Sequence, residues 1–147
     1  MIMNLEIGNH EGIEWCGPSA ISLIAGIPLH VAQSRMAHLQ NKSYNQVSVS
    51  YVSEMKLILS DLGFNAKPID LFTRYGNKYE MGPTIQRFVR EMQPIEKISK
   101  VLIETHGHVL VSHMGFVGDN WTKKMVPLDQ FPKVKRHVIG AHIIIPK

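Results

Sequence analysis

Two hydrophobic periodicities divide the chain near Pro94. Before it, apolar residues recur every three or four positions, the repeat of helices with one buried face. After it they gather into short β-branched runs separated by glycines, which reads as strands. The first helix is expected to begin at Cys16 or Gly17, with Pro18 in the first turn, where its missing N–H is harmless. It should end before Gly26 and Pro28, with Ile21, Ile24 and Ala25 inward. A second helix is expected over 29–39. A third is expected over 50–62, where Tyr51, Met55, Ile58, Leu59 and Leu62 share a face and Gly63 is the stop. A fourth follows Gly82-Pro83, with Ile85, Phe88, Val89 and Met92 at helical spacing, and Pro94 closes it.

The runs Val101-Leu102-Ile103, Val109-Leu110-Val111, Phe116-Val117 and Val138 to Ile145 are expected to be strands of an antiparallel sheet. Helices precede strands, so the expected class is α+β; a parallel sheet would need alternating units. Between the second and third runs the chain should turn around His113 to Gly115. In a hairpin with an even-length loop, opposed positions sum to an odd number. His108 and Asp119 therefore project from one face and Asn120 from the other, unless a bulge intervenes.

Composition adds limits. The 147 residues are 44% hydrophobic and 19% charged, ordinary values for one globular domain, expected to span 1–147. The longest apolar stretch, Val138 to Ile145, is interrupted by Gly140 and His142 and falls far short of a membrane span. Glu6, Glu11 and Glu14 stand where a signal peptide would need a basic start and apolar middle, so a soluble, cytoplasmic protein is expected. The net charge of +4 is concentrated toward the C-terminus in Lys123, Lys124, Lys133, Lys135 and Arg136. No nucleic-acid motif or aromatic stacking platform accompanies these cations in the sequence. They read as a solvated basic face, with nucleic acid not expected as a partner.

The only cysteine, Cys16, cannot form an internal disulfide and lies at an expected helix start. The unpaired N–H groups and positive dipole end there favour a thiolate, and the Cys16 backbone N–H is a candidate donor to an oxyanion. Gly17 would let a substrate approach the backbone closely, and Trp15 and Gly107 flank the same chemistry as candidate approach residues. The competing reading is a buried small hydrophobe, the commonest state of an unpaired cysteine. A nucleophile needs a base, and the base needs an orienting group. Of eight histidines, His10, His30, His38 and His137 fall in expected loop or helix surface, and His142 in the last strand. His108 opens a strand, with Asp119 on the expected same face to hold one ring nitrogen while the other meets Cys16.

These residues carry a resemblance. Trp15-Cys16-Gly17-Pro18-Ser19-Ala20, together with Gly107-His108 through Gly115, Val117, Asp119 and Trp121, resembles papain-like cysteine peptidases. Among them it looks most like the branch of double-glycine leader peptidases and their small bacterial and phage relatives. The resemblance implies a papain-like fold with the cysteine opening the central helix and the histidine on the sheet. It also implies a Cys16–His108–Asp119 triad and a peptide or protein substrate cleaved through a thioacyl intermediate without cofactor or metal. The family commonly places a glutamine about six residues before the cysteine as an oxyanion donor. Here His10 stands there with Asn9 beside it, and either could donate.

Two other functions use some of the same residues. His106 and His108, with His113, Asp119 or Cys16, would suit a metal site, although His113 has the opposite strand parity and no second cysteine exists. A papain-like shape without activity, engaging a protein partner, is the other alternative, favoured by the missing glutamine. Acyl transfer to an amine would use the same triad as hydrolysis.

Overall fold

The β-branched runs after Pro94 form the middle of one six-stranded sheet in the computed structural model, which describes residues 15–47, 51–76 and 82–147. Its strands are β1 (Phe64–Pro68), β2 (Lys100–Thr105), β3 (His108–His113), β4 (Phe116–Gly118), β5 (Val126–Pro127) and β6 (Gly140–Pro146). They lie in the order β1-β6-β2-β3-β4-β5, and every neighbouring pair is antiparallel. The helices are α1 (Cys16–Ala25), α2 (Leu29–Gln40), α3 (Val52–Asp61), α4 (Leu71–Tyr75), α5 (Ile85–Arg90) and α6 (Pro94–Ile98). The architecture is α+β, with the longest helices first and an antiparallel sheet after them.

Alternation along the central strands sends side chains to two cores. Leu102, Val109 and Val111 join Ile21, Leu23, Ile24, Met36, Met55 and Leu59 beneath α1, α2 and α3. Val101, Ile103 and Leu110 point the other way, to Ile85, Phe88, Phe131 and Val138. Helix α1 is buried from Gly17 to Ile24 because α2, α3 and β3 surround it; the expected single inward face is too narrow, and Ala25 is only half-buried. Gly26, at φ 69°, ends the helix in the left-handed conformation open to glycine.

Three further expectations needed correction. Phe64–Pro68 lies before Pro94 yet is a strand, paired with β6 at the sheet edge, where Pro68 has one side without a neighbour. Pro94 does not close the fourth helix, which stops at Arg90; it opens α6, where the Glu96 carboxylate accepts from the Gln93 N–H at 3.0 Å. Tyr51 is 68% exposed at the α3 N-cap, one position before helical geometry would turn it inward. The expected start of α3 at Ser50 lies outside the described residues.

The β3–β4 connection sets the register of the site. His113 pairs with Phe116 across the two-residue loop Met114-Gly115, whose φ values of 53° and 82° are both positive, the twist that such a tight hairpin requires. At the other end of β4, a Cβ on Gly118 would lie 2.8 Å from both the Lys124 carbonyl oxygen and the Met125 sulfur, and 3.2 Å from Leu23 of α1. Gly118→Ala is therefore expected to cost ~1–3 kcal/mol of stability by overpacking. A denaturant midpoint equal to wild type would show that residues 119–125 move aside freely.

Candidate active site

Cys16 is the first residue of α1, His108 the first of β3, and Asp119 the first after β4. Val111 pairs with Gly118 and Ser112 with Val117, so this register places Asp119 opposite Leu110, one diagonal step from His108 on the same face. The His108 Nε2 meets Asp119 Oδ2 at 2.9 Å, with the two residues 8% and 1% exposed. With Nε2 engaged, Nδ1 is the ring nitrogen left to face the Cys16 thiol, and the two groups influence each other's protonation.

Asp119 is held by a turn that follows directly from its own sequence. Its Oδ1 accepts from the Trp121 and Thr122 N–H groups, each at 2.9 Å, and the Thr122 hydroxyl accepts from the Asp119 N–H at 3.0 Å. The pattern Asp-x-x-Thr is the signal that could have located Thr122, because short polar side chains bond their own backbone two or three residues on. One carboxylate oxygen thus fixes the loop and the other fixes the imidazole. Asn120 is also buried, at 5% exposed, but its Oδ1 has no partner among the described residues.

Electrostatics favour a charged couple. Burial pushes the Cys16 thiol up. It is outweighed by the hydrogen bond from His108, the N–H of Val109, the imidazolium charge and the N–H of Gly17, so the thiol sits below its ordinary value. Burial pushes His108 down and is in turn outweighed by Asp119 and Cys16, which raise it. Asp119 is held low despite burial, first by His108 and then by the Thr122 and Trp121 N–H groups. The Cys16 N–H has no backbone acceptor among the described residues, as expected in the first turn of a helix.

Trp121 had no assigned role in the sequence, yet its ring stacks on His108, 4.8 Å between centroids and 14° from parallel. Lys133 Nζ lies 3.0 Å from the Trp121 ring centroid and Arg136 Cζ 5.6 Å from it. The basic segment is therefore not simply a solvated face. Two of its cations rest on an aromatic ring that covers the histidine.

The remaining candidates are placed as follows. His10 and Asn9 lie outside the described residues. Gly17 is buried, Trp15 is half-buried and meets Tyr44 edge-on at 5.5 Å, and Gly107 sits in the turn between β2 and β3 at φ 68°. His137 is not a free surface histidine, since its Nδ1 pairs with the Gly82 carbonyl oxygen at 2.5 Å. Among the described residues, no three His, Cys, Asp or Glu side chains form a metal-binding group, and His106 is exposed. No described helix is long and apolar enough to cross a membrane. A cavity of about 420 Å³ lies between α2 and α3, with His30, Arg35, Leu57 and Asp61 in its walls, and contains none of the residues of the Cys16 site. Comparison of the chain with protein-family models, curated proteins and solved structures gave no match.

Proposed function

We propose that the chain is a papain-like thiol hydrolase acting on peptide bonds, with Cys16 as nucleophile, His108 as acid and base, and Asp119 as the group that orients the imidazole. The observation that carries this reading is the buried His108–Asp119 pair, 2.9 Å apart, beside a thiol at a helix start that the imidazole helps to lower. The nucleophile at the start of a buried helix and the base on an antiparallel sheet support the papain-like assignment. The Cys16 sulfur attacks the substrate carbonyl carbon, and the carbonyl oxygen takes the negative charge beside the Cys16 N–H. His108 then gives its proton to the departing amine as the C–N bond breaks, leaving a thioester on Cys16. Water attacks that thioester while His108 accepts its proton, releasing the acid and restoring the thiol–imidazole couple.

The test is alkylation of Cys16 against pH. A thiol held down by His108 is expected to react with an apparent pKa below the free value of about 8.5, with rate falling as pH drops through that lowered value. His108→Ala should return the profile to that of an ordinary thiol. A folded wild-type protein whose alkylation already follows an ordinary thiol would remove the nucleophile assignment and favour a silent binding module.

A further inference from the structure

The reacting residues account for only one face of Trp121. His108 stacks on the indole at 14°, and Lys133 is centred over the ring at 3.0 Å, which requires the opposite face; Arg136 stands beside it at 5.6 Å. Neither cation belongs to an ion pair among the described residues. The one acid that acts on Lys133, Asp119, has both oxygens committed, one to His108 and one to the Trp121 and Thr122 N–H groups. Two like charges held on one small surface repel, and Arg136 follows desolvation among the causes that lower the Lys133 ammonium. An anion at this place would relieve that repulsion. A cation–π contact uses one side of each cation and leaves its other N–H donors outward, where a guanidinium fork matches a carboxylate.

The chemistry says which part of a substrate would meet this surface. His108 must deliver its proton to the departing amine, so the leaving segment has to lie against the imidazole. Beyond the imidazole come Trp121 and the two cations. We infer that Trp121, Lys133 and Arg136 form a recognition surface for a carboxylate on the leaving side of the cleaved bond, making peptides acidic just after that bond the preferred substrates. This rests on the thiol-hydrolase reading. The carboxylate could be a side chain or the free C-terminus of a short leaving segment.

Matched peptides with Glu or Gln after the cleaved bond, each made with a free and an amidated C-terminus, separate these sources. Wild type should favour the carboxylate-bearing peptide by ~10-fold in kcat/KM. The preference should fall to about twofold or less in the double variant Lys133→Gln/Arg136→Gln, and shrink for wild type in about 0.5 M salt. Dependence on Glu in the amidated arm assigns the site to a side chain, and dependence on the free terminus alone assigns it to a chain end. Equal rates in both arms overturn the inference while leaving the hydrolase intact. If no peptide is cleaved, the hydrolase reading fails separately, and the cations are then read by alkylation. The ratio of iodoacetate to iodoacetamide rates at Cys16 should drop severalfold in the double variant, and an unchanged ratio overturns the inference. Binding of a single-stranded oligonucleotide that the same substitutions abolish, without any Glu preference, would reassign the surface to nucleic acid and overturn it too.

Discussion

Asp119→Ala is expected to lower kcat/KM by ~10²-fold or more, about 2.7 kcal/mol of transition-state stabilisation, while Asn120→Ala stays much closer to wild type. The asymmetry follows from where the two side chains go. Asp119 Oδ2 holds His108 Nε2 at 2.9 Å, whereas Asn120, although buried, has an Oδ1 without a partner among the described residues. Alanine at 119 also removes the acceptor of two backbone N–H groups in the turn, so part of its effect will be on stability. Asp119→Asn separates the two, because an amide oxygen can still accept from those N–H groups but carries no charge to stabilise an imidazolium. Activity lost in Asp119→Asn with the melting temperature largely kept would assign Asp119 to orientation and charge. Wild-type activity in Asp119→Ala would remove it from the site.

The same contact gives a pH signature in stability. Asp119 is depressed in the folded protein, so its contribution is present above its unfolded value of about 4 and is lost as pH falls through the lower folded value. His108 is raised, so its contribution is complete below about 6.5 and is lost as pH rises through the higher folded value. The pair should therefore stabilise most between about pH 4 and 6.5. The stability difference between wild type and Asp119→Asn, measured by denaturant across pH, should be largest there. A difference that is flat with pH would contradict the coupling.

Cys16→Ser is expected to abolish turnover, by ~10⁴-fold or more, because a nucleophile and its base act as a unit and losing either forfeits most of what the unit supplies. For the same reason, Cys16→Ser combined with Asp119→Ala should be little worse than Cys16→Ser alone. The fold should survive. The substitution changes one atom at a half-buried helix start, and no disulfide is lost. Thermal unfolding within a few degrees of wild type, together with vanished activity, is the expected pair of results. A grossly destabilised serine variant would make Cys16 a packing residue, and full activity in it would exclude thiol catalysis.

The parts of this protein that the amino-acid sequence determines by itself are those resting on short-range rules. Helices α1, α2 and α3 were legible because 10 to 12 residues of 3.6-residue periodicity, punctuated by glycine and proline, have few other solutions. The shared face of His108 and Asp119 was legible because hairpin parity needs only an even loop, and Met114-Gly115 is one. Strand β1 was not: Phe64-Asn65-Ala66-Lys67-Pro68 contains no β-branched residue, and only pairing with β6, far along the chain, makes it a strand. No periodicity rule brings Cys16 to His108 either. Their contact exists because α1 packs buried along β3 and its first turn arrives at the Val109 N–H. The basic cluster was visible as charge, but its position over Trp121 came from the return of residues 131–137 along the far face of the sheet, where Phe131 and Val138 enter the core. Local propensity and parity decide which side chains share a surface; only the packing of distant segments against one sheet decides which surfaces meet.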